Sequence, residues 1–156
     1  NKSGFYLPNS PRDNLTFETD TKKANFRFHK ITSMQPNSNE YVMMTIRSHD
    51  QYNTTVYSGQ DRYRGIKSGR RIVMINPLDA KENNLHAGEL VDLISVFEGE
   101  QRHSSKWYLV EYDIPRGNIA TYFPEANELI PLNSTANVSN TPTSKSVIVR
   151  IEKSQD

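Results

Sequence analysis

Tyr41-Val42-Met43-Met44-Thr45-Ile46 is an unbroken apolar run of strand length, and it stops at Arg47-Ser48-His49-Asp50. A run this short and this apolar is expected to be a strand buried on both faces. Downstream, residues 47–71 are polar and aromatic, with Tyr52, Tyr57 and Tyr63 among Gly59, Gly65 and Gly69 and little periodicity. A loop of that length inside a compact domain is usually functional or disordered, and its tyrosines argue against disorder. Arg71-Ile72-Val73-Met74-Ile75 reads as the next strand. Asn76-Pro77-Leu78-Asp79 then starts a short helix: Asn76 can cap, Pro77 suits the first helical position and Asp79 faces the positive end of the dipole. Asn83-Asn84 should end it, with Asn84 in the left-handed conformation, and Gly88 should supply a positive φ in the turn that follows.

Further out, strands are expected at residues 90–96, 107–112, 119–122 and 146–151, with turns at 98–101 and 115–118. One helical turn is expected at 124–127, and an Asn/Ser/Thr/Pro loop at 132–144. Upstream, residues 1–40 are polar apart from Ala24-Asn25-Phe26-Arg27-Phe28, where Phe26 and Phe28 alternate with polar neighbours as in a short edge strand. Six or seven short strands, one clear short helix and long loops predict a closed or nearly closed β barrel rather than alternating β and α units.

The chain has 156 residues, enough for one domain. It has no cysteine, which excludes disulfides, thiolate metal sites, iron–sulfur ligation and a cysteine nucleophile within it. Nineteen Lys and Arg against eighteen Asp and Glu give a net charge of +1, which argues against a globally basic nucleic-acid or membrane binder. No apolar run approaches the ~20 residues of a membrane-spanning helix. The chain opens on Asn1 with no leader pattern, so a cut start is expected. The glycosylation-type triplets at Asn14, Asn53, Asn133 and Asn137 are expected to be chance in an Asn-rich chain.

Ser48-His49-Asp50 names the three side chains of a hydrolase triad, but adjacent residues in a loop point apart and a triad must converge. His29, His49, His86 and His103 lack metal-ligand spacing, and no Gly-rich phosphate loop is present. What stands out is local charge. Residues 47–71 carry Arg47, Arg62, Arg64, Lys67, Arg70 and Arg71 against only Asp50 and Asp61. A solvated loop is the plain explanation. The functional one is an anion site, in which guanidinium forks meet phosphates and Thr45, Ser48, Asn53, Thr54 and Thr55 add neutral donors.

Thr45-Ile46-Arg47-Ser48-His49-Asp50-Gln51-Tyr52-Asn53-Thr54-Thr55, followed by Asp61-Arg62-Tyr63-Arg64-Gly65, resembles the C-terminal dinucleotide-binding domain of molybdopterin oxidoreductases. The likeness is strongest to formate-dehydrogenase-like (YdeP-type) alpha subunits. Four further segments agree in order: Lys23-Ala24-Asn25-Phe26; Asn76-Pro77-Leu78-Asp79-Ala80 with Gly88-Glu89-Leu90-Val91; residues 116–127; and Thr141-Pro142-Thr143-Ser144-Lys145. Lys22 and Asn84 depart from the family by replacing glycines. The resemblance covers residues 17–152.

The resemblance implies a mainly β fold, a closed six-stranded double-psi β barrel with short helices. It implies an extension at 1–16, the binding barrel at 17–153 and a tail at 154–156. It also implies bis(molybdopterin guanine dinucleotide) carrying molybdenum or tungsten, held in a larger cytoplasmic oxidoreductase whose remaining domains are the partners, with no nucleic acid and no membrane. The metal ligand would lie in those other domains, so the barrel would bind cofactor without being active alone. Carried over by motif, Thr45, Arg47, Ser48, His49, Asp50, Gln51, Tyr52, Asn53, Thr54 and Thr55 line the cofactor. Tyr122, Phe123 and Asn127 close the other side, and Lys145 adds a late cation. For Tyr122 and Phe123 the competing expectation is barrel core, and for Lys145 a solvated loop. The alternative function is a free-standing β-barrel adaptor or single-strand nucleic-acid module, in which the loop's Arg and Tyr bind by charge and stacking.

Overall fold

The computed structural model describes residues 3–155. Two units are distinguished, Asn1–Ser33 and Met34–Asp156. The second is mainly β. Its strands are β1 (Glu40–Ile46), β2 (Gln51–Tyr52), β3 (Thr55–Val56), β4 (Ile72–Ile75), β5 (Leu90–Phe97), β6 (Glu100–Glu111), β7 (Asn118–Tyr122) and β8 (Val147–Lys153). Six of them close on themselves in the order β1-β7-β4-β6-β5-β8, and β2 and β3 form a separate two-stranded hairpin. The β1–β7 and β4–β6 pairs are parallel, and the other four contacts of the ring are antiparallel.

Side chains of a strand alternate between faces, and the ring uses both. Val73 and Ile75 of β4 and Ile119 of β7 join Tyr41, Met43, Trp107, Leu109 and Val149 in the main core. Their neighbours Ile72, Met74, Ala120 and Tyr122 form a second buried cluster with Ile66 from the long loop. Period-2 alternation places the two clusters on opposite faces of the same strands. Ile66 therefore anchors the loop against the β4–β7 seam, and mutual 2.9 Å backbone hydrogen bonds between Asp61 and Ile66 close the loop tip.

The helix α1 (Ser10–Asn14) lies in the first unit. The helix α2 (Pro77–Glu82) has Asn76 as its cap, accepting from the Leu78 N–H, and Asn84 takes φ 53° just past its end. Both features follow the sequence-based expectation, as do Gly88 at φ 88° and a 3₁₀ helix at Glu125–Leu129. A cis peptide bond joins Phe123 to Pro124. No helix among the described residues is long and apolar enough to cross a membrane.

Three expectations fail. β1 is not buried on both faces: Tyr41, Met43 and Thr45 are buried, while Met44 is exposed. The apolar composition of β1 exceeds what its one-sided packing requires. β6 begins at Glu100, seven residues before the predicted strand, because Arg102, His103 and Ser104 pair with Ser95, Ile94 and Leu93 of β5. There the apolar burial is carried by β5, so the β6 side can be polar. Phe26 and Phe28 form no edge strand; both rings are exposed, and residues 26–28 make no backbone–backbone hydrogen bond to another described residue.

Candidate functional site

Strand direction builds the site. β1 and β7 run parallel, so both chains leave the ring at the same end, Arg47 after β1 and Phe123 after β7. The Phe123 N–H donates to the Ile46 carbonyl at 2.8 Å. β8 runs antiparallel to β1, so the residues that lead into it arrive at that end too, where the Thr45 N–H donates to the Ser144 carbonyl at 2.9 Å. The result is a cleft of about 490 Å³ lined by Thr45, Ile46, Arg47, Arg64, Phe123, Ser144 and Lys145. A second hollow, of about 460 Å³, shares Phe123 and Ser144 with it and adds Asn127, Ile130, Pro131, Leu132, Thr141 and Pro142. One end of this groove is cationic and the other is apolar.

The cations divide by what they already hold. Arg70 binds Glu125 through Nε (2.6 Å) and Nη2 (3.0 Å), the Ser48 hydroxyl (2.6 Å), the Gln51 side-chain carbonyl (2.8 Å) and the Phe123 carbonyl (2.6 Å). Arg71 stacks 4.6 Å over Trp107 and pairs with Glu128 at 2.9 Å. Arg64 pairs with the fully buried Asp61 at 2.5 Å and donates to the Arg47 carbonyl at 3.3 Å. Asp61 also accepts from the Tyr122 hydroxyl at 2.8 Å. Burial pushes the Asp61 carboxyl upward, but the hydrogen bonds from Tyr122 and Arg64 prevail and hold it below the usual carboxylate range. Burial and the same bond push the Tyr122 phenol well above its ordinary value.

Arg47 and Lys145 differ from these. Neither has a carboxylate partner among the described residues. The Arg47 guanidinium sits 5.7 Å from the Phe123 ring centre, and the Lys145 ammonium donates to the Thr45 carbonyl. Burial first, and the Arg47 charge second, hold Lys145 below the ordinary lysine pKa. Two cations that repel each other across one cleft lack an anion, and that is the arrangement expected of a phosphate site. The residues present therefore fit a phosphate-bearing ligand.

The expected site residues fall into three groups. Thr45, Arg47, Phe123 and Lys145 meet in the cleft, and Asn127 lines the adjoining hollow. Ser48, Gln51 and Tyr122 serve the fastenings made by Arg70 and Asp61. His49, Asp50, Tyr52, Asn53, Thr54 and Thr55 lie on or beside the β2–β3 hairpin. His49 stacks 4.1 Å from Tyr63, and Asp50 approaches Arg62 at 3.6 Å. Ser48, His49 and Asp50 thus serve three different partners and form no triad. Arg64, Ser144 and the apolar Ile130, Pro131 and Leu132 line the groove without having been among the expected cofactor-lining residues. Arg64 stood among the loop cations, but only its pairing with Asp61 and position in the cleft set it apart.

Residues 41–148 match the molydopterin dinucleotide binding domain. The chain belongs to that family. An uncharacterised oxidoreductase of Mycobacterium bovis is 47% identical over 154 residues, covering 96% of this chain and 20% of its own length. Protein YdeP of Escherichia coli K12 is 36% identical over 157 residues, covering 97% of this chain and 21% of its own length. The chain thus spans about a fifth of the length of these relatives. Among solved structures, acetylene hydratase from Pelobacter acetylenicus superposes with a TM-score of 0.51 at 12% identity, over 75% of this chain and 19% of that one. At that identity the likeness speaks for the fold alone.

Proposed function

We propose that this molybdopterin dinucleotide-binding barrel holds the guanine dinucleotide form of the cofactor as the C-terminal domain of a larger, cytoplasmic oxidoreductase of formate dehydrogenase type. That enzyme would carry two such pterins on molybdenum or tungsten. The ring's two parallel pairs are consistent with a double-psi barrel. The observation that carries this reading is the uncompensated pair of Arg47 and Lys145 at a cleft continuous with an apolar hollow. Arg47 and Lys145 offset phosphate charge. Phe123, Ile130, Pro131 and Pro142 offer apolar surface to a flat ring, and the Asn127 amide offers a donor and an acceptor to a heterocycle edge. On the hairpin, His49 and Asn53 face the pterin edge. The bound cofactor supplies the two-electron chemistry, so the barrel alone is not catalytic.

The test is Arg47→Ala and Lys145→Ala in the full-length protein. Pterin and metal content should fall several-fold while the protein stays folded. Unchanged content in both variants would overturn the reading. So would tight binding of single-stranded oligonucleotide that weakens steeply with salt, which would favour a nucleic-acid module.

A further inference from the structure

Ala24-Asn25-Phe26-Arg27-Phe28-His29-Lys30-Ile31 alternates like a strand and joins none. Phe26, Phe28 and Ile31 are 99%, 95% and 97% exposed. No backbone–backbone hydrogen bond links residues 26–32 to any other described residue. Upstream, Phe5, Leu7 and Leu15 are also exposed. Around them a small polar network fixes the chain: Tyr6 donates to Asp13 at 2.5 Å, and Arg12 donates to Tyr6 and to the Leu7 carbonyl, each at 2.8 Å. Large apolar side chains gathered on an exposed, unpaired backbone mark an interaction surface.

Among the described residues no strand pairs with this segment. The relatives supply the missing context. Their matches cover 96% of the chain, a span that includes residues 24–31, whereas the binding-domain family begins only at residue 41. The segment therefore belongs to what the long relatives share while lying outside the family's match. Its charge narrows the partner further. Residues 21–39 contain Lys22, Lys23, Arg27 and Lys30 and no acid.

We propose that residues 24–31 are an arm that docks by strand addition onto the part of the full-length protein outside these 156 residues. It would meet an edge strand with apolar pockets for Phe26 and Phe28 and carboxylates beside them. The arm rests on the reading above only in that the barrel is one part of a longer polypeptide, and it is independent of the cofactor.

Amide hydrogen exchange tests it, comparing the full-length protein with the 156-residue chain. Residues 24–31 should exchange at least 100-fold more slowly in the full-length protein. Phe26→Asp with Phe28→Asp should lower the thermal midpoint of the full-length protein and leave that of the 156-residue chain unchanged. Free exchange of the arm in the full-length protein would overturn the proposal. Equal slowing in the 156-residue chain would also overturn it, assigning the arm to a second copy if the slowing depends on concentration and to the chain's own surface if it does not. A reading frame no longer than this chain would do the same. Slow exchange in a full-length protein that carries no pterin would uphold the arm while overturning the cofactor reading.

Discussion

Arg70 and Arg47 belong to one polar segment of sequence and to opposite economies of charge. The Arg70 side chain is 9% exposed and holds four neighbours at once, tying the start of the loop to the turn after β7. Its partner Glu125 is 24% exposed, so what is lost is a set of charge-assisted hydrogen bonds rather than a fully buried pair. Arg70→Ala should therefore cost about 1.5–3 kcal/mol in urea unfolding, whereas Arg47→Ala, on an exposed cation without an acid partner, should change stability by less than about 0.5 kcal/mol. Asp61 gives a pH signature. Its folded pKa lies below its unfolded value, so its contribution is complete above the ordinary carboxylate range and is lost as pH falls through the folded value. Acid unfolding of Asp61→Asn should start from a lower neutral-pH stability and depend less on pH below about 4. An equal acid dependence in variant and parent would refute that linkage. None of this was visible beforehand, since a list of six cations does not say which are already paired.

Among the elements, legibility followed burial. β4, β5, β7 and β8 could be read from short apolar runs because each buries at least one face. The first half of β6 could not, since Ser104 is the one buried residue between Glu100 and Lys106. The helix α2 was legible from its chemistry rather than its length. Asn76 caps it and also donates to the Ile114 carbonyl at 2.6 Å. Asn76→Ala should cost about 1–2 kcal/mol, at the upper end for a lost cap, read as a drop in the denaturation midpoint. Asn84→Gly should be neutral or slightly stabilising, because Asn84 already occupies the left-handed region that glycine favours. A clear destabilisation would mean that the Asn84 side chain contributes something other than its backbone conformation.

For the molecule as a whole, the cleft was legible only in part. Thr45, Phe123 and Lys145 come from distant stretches of sequence, and motif resemblance grouped them where periodicity could not. Their convergence follows from parallel β1–β7 and antiparallel β1–β8 pairing, which no local pattern reveals. A ligand that binds only the folded state stabilises it. Inorganic pyrophosphate at ten times its dissociation constant should raise the stability of the 156-residue chain by about 1.4 kcal/mol. The Arg47→Ala, Lys145→Ala double variant should abolish that gain, and a gain retained in it would place the anion elsewhere.

The ring has one more consequence, which concerns time. β1 is the first strand of the ring to be made, but its two neighbours are the last two of the ring, and Lys145 reaches back one hundred residues to Thr45. Nascent chains therefore carry two unmated borders until translation of the strand from Val147 to Lys153 is complete. The cleft is therefore complete only once that strand is made, and any early stop before Val147 yields a sheet with open edges and half of the cleft.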